Sequence, residues 1–358
     1  PITTNINEAG NIEIGGCDLV KLAEEYGTPL YVLDEQTIRK ICQDYKEAFK
    51  GYPRVNMMYA SKALCSMATS KLIASEGFGF DVVSAGEIFT VYNAGVDMKK
   101  VLFNGNNKSY DELELAIKSG VGRISVDNFF ELSLLDEIAK SNKKVVDILL
   151  RITPGIECHT HEYIQTGHLD SKFGFDLTQI DEAVDLILND YTNLRLHGLH
   201  AHIGSQIFET SIYGDEIEIL VKEIARLDEK FGLKLDEINI GGGLGVKYTE
   251  EDCPPSTFTI AEIVIKRLYS CIEKYKIDAP TLFIEPGRSI ISTAGVTLYT
   301  LGSSKQVPKG KTYVAVDGGM ADNARPSMYG AEYRAQIANK PDFELAATVT
   351  IAGRFCES

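Results

Sequence analysis

The stretch Val55-Asn56-Met57-Met58-Tyr59-Ala60-Ser61-Lys62-Ala63 decides the reading of the fold. Its first half has the length and apolar content of a buried strand, and the strand runs straight into a lysine. An open, doubly wound sheet would instead carry a glycine-rich phosphate fingerprint after its first strand. Working outward, seven more short apolar runs follow: Phe80–Val83, Val101–Asn104, Arg123–Val126, Val146–Ile152, Leu196–Ile203, Glu237–Ile240 and Leu282–Glu285. The first five runs are spaced about 22 residues apart and the rest about 40–50, room for one helix per strand plus longer loops. Helix-start signals stand between them, with Ser84-Ala85-Gly86-Glu87 reading as a capping box and Asn128 with Glu131 as another cap. Eight βα units predict an α/β fold, a closed (β/α)8 TIM-like barrel over residues 34–288.

The flanks read differently. Residues 1–33 hold short β-like runs at Asn11–Ile14 and Leu30–Leu33, and residues 289–358 hold Gly295–Leu301, Thr312–Val316 and Phe343–Ile351. Together they predict a second, β-rich domain built from both ends of the chain.

A chain of 358 residues suits one large domain and a smaller one. Its net charge of −15, from 36 basic and 51 acidic residues, argues against nucleic acid or anionic lipid as partners. No apolar run approaches the roughly 18–20 residues of a membrane span, and Pro1-Ile2-Thr3-Thr4-Asn5 does not open like a secretory signal. The seven cysteines are scattered, with no CxxC pair, so reduced thiols and a cytoplasmic location are expected.

A barrel of this kind works at the C-terminal ends of its strands. Walking round that mouth gives Lys62, Asp81 with Ser84, Asn104, Asp127, Arg151, His202 with Ser205, Gly241–Gly245, and Glu285-Pro286-Gly287-Arg288. A lysine buried there is costly unless its charge is removed or paired, and bonding to a carbonyl cofactor uses that ready pKa shift; otherwise it is a plain surface lysine. Gly241–Gly245 offers backbone donors suited to a phosphate, with Ser205 as a further donor, although glycine runs also make simple turns. Glu285 facing a pyridine nitrogen would keep it protonated, the alternative being a salt bridge to Arg288 or Arg151. His202 either lies flat against a cofactor ring or is a core histidine. Two HxH pairs, His159/His161 (followed by Glu162) and His200/His202, raise a metal-dependent hydrolase as a rival. Such barrels put HxH on strand 1, which here ends in lysine, so no metal is expected.

Four motifs occur in order: Tyr59-Ala60-Ser61-Lys62, His200-Ala201-His202-Ile203-Gly204-Ser205-Gln206, Glu285-Pro286-Gly287-Arg288 and Cys356-Glu357-Ser358. With them stand His159-Thr160-His161-Glu162-Tyr163-Ile164, Asp170-Ser171-Lys172-Phe173-Gly174, Val316-Asp317-Gly318-Gly319-Met320 and Arg325-Pro326-Ser327-Met328-Tyr329-Gly330. Over essentially its whole length the chain resembles the fold-type III decarboxylases dependent on pyridoxal 5'-phosphate (PLP), most closely the diaminopimelate decarboxylase family. The resemblance implies an alanine racemase-like barrel plus an all-β domain, working as a head-to-tail homodimer with sites at the interface. It implies PLP held by Lys62 as a Schiff base, His202 stacked on its ring and Glu285 on its ring nitrogen. It places the phosphate on Ser205, Gly242, Gly243 and the backbone of Gly287 and Arg288, with Asp81, Arg151 and Pro286 as further cofactor contacts. Lys62, His202 and Cys356 would be catalytic, Cys356 as general acid in the partner's site.

On the substrate side the resemblance gives Arg288, Arg325 and Tyr329 to a distal carboxylate, for which arginine offers a bidentate fork. It gives Glu357 to the distal amine, with Cys356 beside it. The implied reaction is decarboxylation of meso-2,6-diaminopimelate at its D-configured carbon to L-lysine and CO2, the last step of lysine biosynthesis. Relatives acting on ornithine, lysine, arginine or carboxynorspermidine are the alternatives within the class, and Arg325, Tyr329 and Glu357 argue against them. A non-catalytic PLP-binding homologue is the alternative outside it, and Lys62 with Cys356 argues against that. Family members continue for some tens of residues beyond Cys-Glu-Ser, so the β-rich domain is expected to be truncated at its C-terminal side.

Overall fold

The computed structural model describes residues 1–156, 171–341 and 347–356. They fall into two compact units, one of Arg39–Val246 and Cys253–Ile291, the other of Pro1–Ile38, Lys247–Asp252 and Ser292–Ser358. In the larger unit eight parallel strands close into a barrel: β1 (Val55–Ala60), β2 (Gly79–Val82), β3 (Val101–Phe103), β4 (Arg123–Val126), β5 (Val146–Thr153), β6 (Leu194–His200), β7 (Glu237–Asn239) and β8 (Thr281–Ile284). Neighbours run β5-β6-β7-β8-β1-β2-β3-β4, and β4 pairs back with β5. The expected (β/α)8 barrel is thus what the chain forms. The strands are short and largely buried on both faces, which is why they read as continuous apolar runs.

The barrel helices are α1 (Met67–Ser75), α2 (Ala85–Asn93), α3 (Tyr110–Ser119), α4 (Phe129–Ser141), α5 (Ile180–Asn189), α6 (Ser211–Phe231) and α7 (Thr257–Tyr275). Asn128 caps α4, accepting the Glu131 N–H at 3.0 Å. The expected capping box at α2 forms only by half. Ser84 accepts the Glu87 N–H, but the Glu87 carboxylate passes over the cap residue and takes the Val83 N–H at 2.7 Å and the Ser61 hydroxyl at 3.0 Å. That carboxylate ties α2 to the turn carrying Lys62 instead of to its own N-terminus.

One irregularity sets which side chains face inward. Successive residues of a strand point to opposite faces, so an inserted residue reverses the order beyond it. In β6 the pairing with β5 jumps from Leu196↔Ile148 to Gly198↔Leu149, leaving His197 as the extra residue of a bulge. Gly198 makes the close approach possible, since a Cβ there would stand 1.8 Å from the Glu237 carbonyl oxygen. Beyond the bulge His200 pairs with Arg151 and shares the face of Leu149. Met58, Leu102, Leu149 and Phe283, from β1, β3, β5 and β8, form one buried apolar cluster. Two places further along, β3, β5 and β8 carry the polar Asn104, Arg151 and Glu285 in the layer above it, while β1 carries Ala60. At the opposite end Arg123 grips Glu237 at 2.9 and 2.7 Å and reaches Asp147 at 3.3 Å.

The second unit holds a three-stranded antiparallel sheet (Asn5–Ile6, Ile12–Ile14, Cys17–Asp18), a pair formed by Leu30–Leu33 and Gly295–Leu298, and a three-stranded sheet of Leu301–Gln306, Thr312–Val316 and Thr350–Ala352. The single strand expected over Gly295–Leu301 is therefore two. The chain leaves one sheet at Leu298 and joins another at Leu301, and between them Asp317 accepts the Thr300 N–H at 2.9 Å. The strand expected over Phe343–Ile351 begins outside the described residues. Ile12, Ile14 and Leu19 form this unit's buried core with Leu22, Val32, Val296, Leu298 and Ala338 around them. Among the described residues no helix is long and apolar enough to cross a membrane.

One core position conflicts with its surroundings. The buried stripe of α6 runs Ile212, Tyr213, Glu216, Ile217, Leu220, Ile224, and both Glu216 carboxyl oxygens lack a hydrogen-bond partner among the described residues. Burial pushes this carboxyl well above the ordinary value of 4.5, and the charge of Glu285 adds to the shift. The folded state thus keeps a proton that the unfolded chain loses above pH 4.5, so stability falls as pH rises beyond that value. Glu216→Met is expected to stabilise the protein by about 1–3 kcal/mol near neutral pH, with a smaller gain at pH 5 than at pH 8. Thermal unfolding of both proteins at the two pH values checks this, and a lower melting temperature for the variant at pH 8 would show that the carboxyl is needed.

Candidate active site

The polar layer of the barrel is built from strand parity. Asp81 pairs in register with Leu102, and Asn104 lies two residues beyond Leu102. Ser125 pairs with Leu149, His200 with Asn239, and Asn239 with Phe283, while Glu285 lies two beyond Phe283. All six are buried. A layer of buried polar groups is stable only if each finds partners, and here they find one another.

Glu285 is the hub. Its Oε1 accepts Asn239 Nδ2 at 2.6 Å and lies 3.4 Å from Asn104 Nδ2, while Oε2 faces His200 Nε2 at 3.6 Å. Asn239 cannot turn round, because its Oδ1 accepts the Gly241 N–H at 2.8 Å. Asn104 also donates to Asp81 Oδ1 at 2.6 Å, so one amide bridges two carboxyls. Two buried carboxyls this close do not both ionise. Burial pushes Asp81 well up, and the Glu285 charge pushes it further. Burial acts on Glu285 in the same direction, but His200 and Asn239 more than reverse it and hold that carboxyl well below its ordinary range. Burial lowers the pKa of both His200 and His202 and favours the neutral imidazole at each. The result is one ionised carboxylate at the barrel centre beside one protonated carboxyl.

Lys62 stands just above this layer on a single 3-10 turn, Ser61–Ala63, that directly follows β1. It is exposed, not buried, because the turn carries it past the strand end into the mouth. Its positive charge is felt at Asp81 and at His202. Ser61 beneath it is buried, with its hydroxyl 2.8 Å from the Asp81 carbonyl and 3.0 Å from Glu87. Arg151 lies in the same layer with its guanidinium 4.2 Å from the centre of the Phe173 ring, and it opposes the upward push of burial on Asp127.

The backbone closes tightly round β6, β7 and β8. Gly241 and Gly243 hold φ values of +63° and +102°, which favour glycine. A Cβ on Gly242 would stand 2.1 Å from the Glu285 carbonyl oxygen, and one on Gly243 would stand 2.4 Å from that of Gly204. The Gly242 N–H reaches His202 Nδ1 at 3.3 Å, and the Pro286 carbonyl accepts the Ala60 N–H at 3.1 Å, joining β8 to β1. Arg288 turns its guanidinium to Ser205 Oγ at 3.2 and 3.3 Å. Gly287 sits where a Cβ would meet Ala60 at 3.0 Å. Lys62, Asp81, Arg151, His202, Ser205, Gly242, Gly243, Glu285, Pro286, Gly287 and Arg288 thus all belong to the strand ends of one barrel.

The family model for the pyridoxal binding domain of pyridoxal-dependent decarboxylases matches residues 35–292. A diaminopimelate decarboxylase of Synechocystis sp. is 48% identical across 100% of this chain and 78% of that protein. The chain belongs to the diaminopimelate decarboxylase family. A second member, from Bacillus subtilis, is 45% identical over 99% of the chain and 82% of its own length. The crystal structure of diaminopimelate decarboxylase from M. jannaschii in co-complex with L-lysine has a TM-score of 0.92 at 34% identity, covering 99% of this chain and 82% of that one.

The cofactor of such an enzyme is PLP, and the residues present fit it. The side-chain positions of Gly242 and Gly243 are filled by neighbouring backbone, so main chain lines that part of the site and its N–H groups suit a phosphate; those of Gly241 and Gly242 meet Asn239 Oδ1 and His202 Nδ1 here. The buried ionised Glu285 suits a protonated ring nitrogen, and Asn104 Oδ1 and His200 Nε2 are buried atoms without a hydrogen-bond partner among the described residues. Sequence reasoning missed Ser125 and Asn239 as parts of this layer. The signal was weak, since Ser125 shares its strand with Arg123 and Asn239 shares its with Glu237.

The remaining candidates lie in the other unit. Arg325 opens a short helix, Arg325–Tyr329, with its guanidinium 5.4 Å from the Tyr329 ring centre and 5.6 Å from that of Tyr248. Its Nε is buried without a hydrogen-bond partner among the described residues. Cys356 is exposed. Glu357 lies outside the described residues, as do His159, His161 and Glu162.

The glycine geometry yields a direct check. Gly242→Ala forces a Cβ against rigid backbone, so PLP affinity measured by cofactor titration is expected to fall at least tenfold. Gly86→Ala, whose Cβ meets only Ser84 Oγ at 3.8 Å, leaves it unchanged. Equal affinities for the two variants would show that the close approach at Gly242 is not a phosphate cradle.

Proposed function

We propose that this chain decarboxylates meso-2,6-diaminopimelate to L-lysine and CO2, the last step of lysine biosynthesis, with the barrel mouth as its active site. The observation that carries the reading is the central carboxylate. Glu285 is buried and ionised, held by Asn239 and Asn104 and faced by His200, beneath a lysine and beside the glycine run. The names carried by relatives at up to 48% identity support the substrate.

Each residue has a task in this scheme. Lys62 would hold the cofactor covalently from the turn after β1. Gly242, Gly243, Gly287, Arg288 and Ser205 bind the phosphate, and the contact of Arg288 with Ser205 Oγ aligns those two. His202, kept neutral, lies against the ring face and adds no positive charge there. Glu285 holds the ring nitrogen in its protonated form. When bound, PLP supplies a cationic ring that takes up the electron pair left by the departing carboxylate. Asp81 and Arg151 shape the layer beneath the ring, with Asp81 neutral so that Glu285 stays the only full negative charge of the pair. Cys356 delivers the proton to Cα after CO2 leaves.

The substrate's second amino-acid end must be recognised and spared. Arg288, Arg325 and Tyr329 bind its carboxylate and Glu357 its amine, with Cys356 beside it. Arg325, already flanked by two aromatic rings, keeps its planar fork oriented with little entropy left to lose. The proposal includes a head-to-tail homodimer in which Cys356 serves the partner's site. It also includes a cytoplasmic location, in keeping with six unpaired cysteines among the described residues.

Purified protein loaded with PLP is expected to release CO2 from meso-diaminopimelate and not from lysine or ornithine. Comparable turnover of all three would place it with the broader basic amino-acid decarboxylases. Lys62→Ala removes the visible absorption of the covalently held cofactor, and Cys356→Ala lowers kcat by roughly 10²–10⁴-fold. Mixing the two variants restores activity through heterodimers, and no recovery would count against a shared site.

A further inference from the structure

The donors round Glu285 differ in how they are held. Asn239 is fixed by a backbone N–H, whereas His200 is fixed by a side chain. Its Nδ1 lies 2.7 Å from Ser125 Oγ, and all three residues, Ser125, His200 and Glu285, are buried. Ser125 is itself held firmly, because its carbonyl accepts Lys108 Nζ at 2.7 Å and Lys108 pairs with Glu131 at 2.6 Å.

A neutral imidazole carries one N–H, so the contact with serine decides what faces the carboxylate. If Ser125 donates to Nδ1, the proton sits on Nε2 and points towards Glu285 Oε2, 3.6 Å away. If Ser125 accepts instead, a bare Nε2 lone pair faces a carboxylate oxygen in a buried site, acceptor against acceptor. The first arrangement is the only attractive one.

We propose that Ser125 locks His200 in its Nε2–H tautomer and that His200 is a positioning residue holding the Glu285 carboxylate for the cofactor's ring nitrogen. The inference rests on the reading of Glu285 given above, and it adds a residue on β4 and a tautomer to it. The bulge at His197 is what makes the contact possible, since it turns His200 to the face shared with Leu149, the register partner of Ser125.

The test needs no variant to begin. Nitrogen-15 NMR of the histidine side chains in the cofactor-free protein, with His200 assigned from His200→Gln, reads the tautomer directly. The expected result is a single Nε2–H form, and an Nδ1–H form or an imidazolium at neutral pH overturns the lock. Ser125→Ala is then expected to give a mixture of tautomers. In the holoenzyme it shifts the pH midpoint of the visible absorption and lowers kcat about tenfold with little change in KM, the size typical of orienting partners of a functional imidazole. His200→Gln supplies an amide donor that has no tautomer, so Ser125→Ala added to it costs nothing further. A cost equal to that in the parent would make the serine merely structural. Glu285→Gln separates the two readings. If it leaves the visible spectrum and kcat unchanged, the role of Glu285 fails whatever the tautomer. If it abolishes both while His200 carries Nδ1–H, only the lock fails.

Discussion

Everything in the site depends on which side chains a strand turns inward. A barrel of eight short strands has a narrow interior, and its second inward layer is the last before solvent. Any polar group placed there is buried, close to the opposite strand and shielded from water. The sequence alternates accordingly: Leu102 then Asn104, Leu149 then Arg151, Phe283 then Glu285, apolar below and polar above. β6 alone breaks the count, with His197 inserted and Gly198 allowing the chain to press against Glu237. Without that one-residue shift His200 would point outward among the helices, where an imidazole has neither serine nor carboxylate to meet.

Given that layer, the division of charge between Asp81 and Glu285 follows from the number and kind of their donors. Both are buried, and both are touched by Asn104. Asp81 has that amide and the Lys62 charge, whereas Glu285 adds Asn239 and His200. The carboxyl with more donors keeps its charge, and its charge forces the proton onto the other. The asymmetry needs the two asparagines and the histidine to stay oriented, and a second contact orients Asn239, through the Gly241 N–H, and His200, through Ser125 Oγ.

How much of this was legible in the sequence depends on the kind of signal. The eight strands were, because strands largely buried on both faces read as apolar runs, and eight of them at that spacing suit a closed barrel. The mouth residues were, because polar groups at the ends of such strands have no structural excuse. Glu87 was misread as an ordinary capping residue, since a Glu three places after a Ser looks the same whether its carboxylate turns to the helix or to Ser61. Ser125 and Asn239 were passed over, because one polar residue in a short strand does not say which face it takes. The β6 bulge was invisible, as register is a property of two strands and the sequence presents only one at a time. Lys62 was expected to be buried and is not, because the turn after β1 extends beyond the apolar layer.

Lys62 stands on the turn after β1, at the mouth above the polar layer. A lysine that must give up the cofactor to each substrate and take it back needs freedom to swing, and a buried amine has little. What has to be rigid is the surface it swings over. That rigidity is found in the groups beneath: Ser61 is pinned between the Asp81 carbonyl and Glu87, and the Glu285 end of β8 is tied to Gly241 by a backbone bond of 2.6 Å. Glu285 meanwhile has acceptor capacity that its neighbours do not fill, as an ionised carboxylate can take about four hydrogen bonds and the His200 contact at 3.6 Å is long. A donor arriving from the mouth side would complete it. The fold thus places its order on the floor of the site, the distribution expected where the groups beneath have to hold a ring in place.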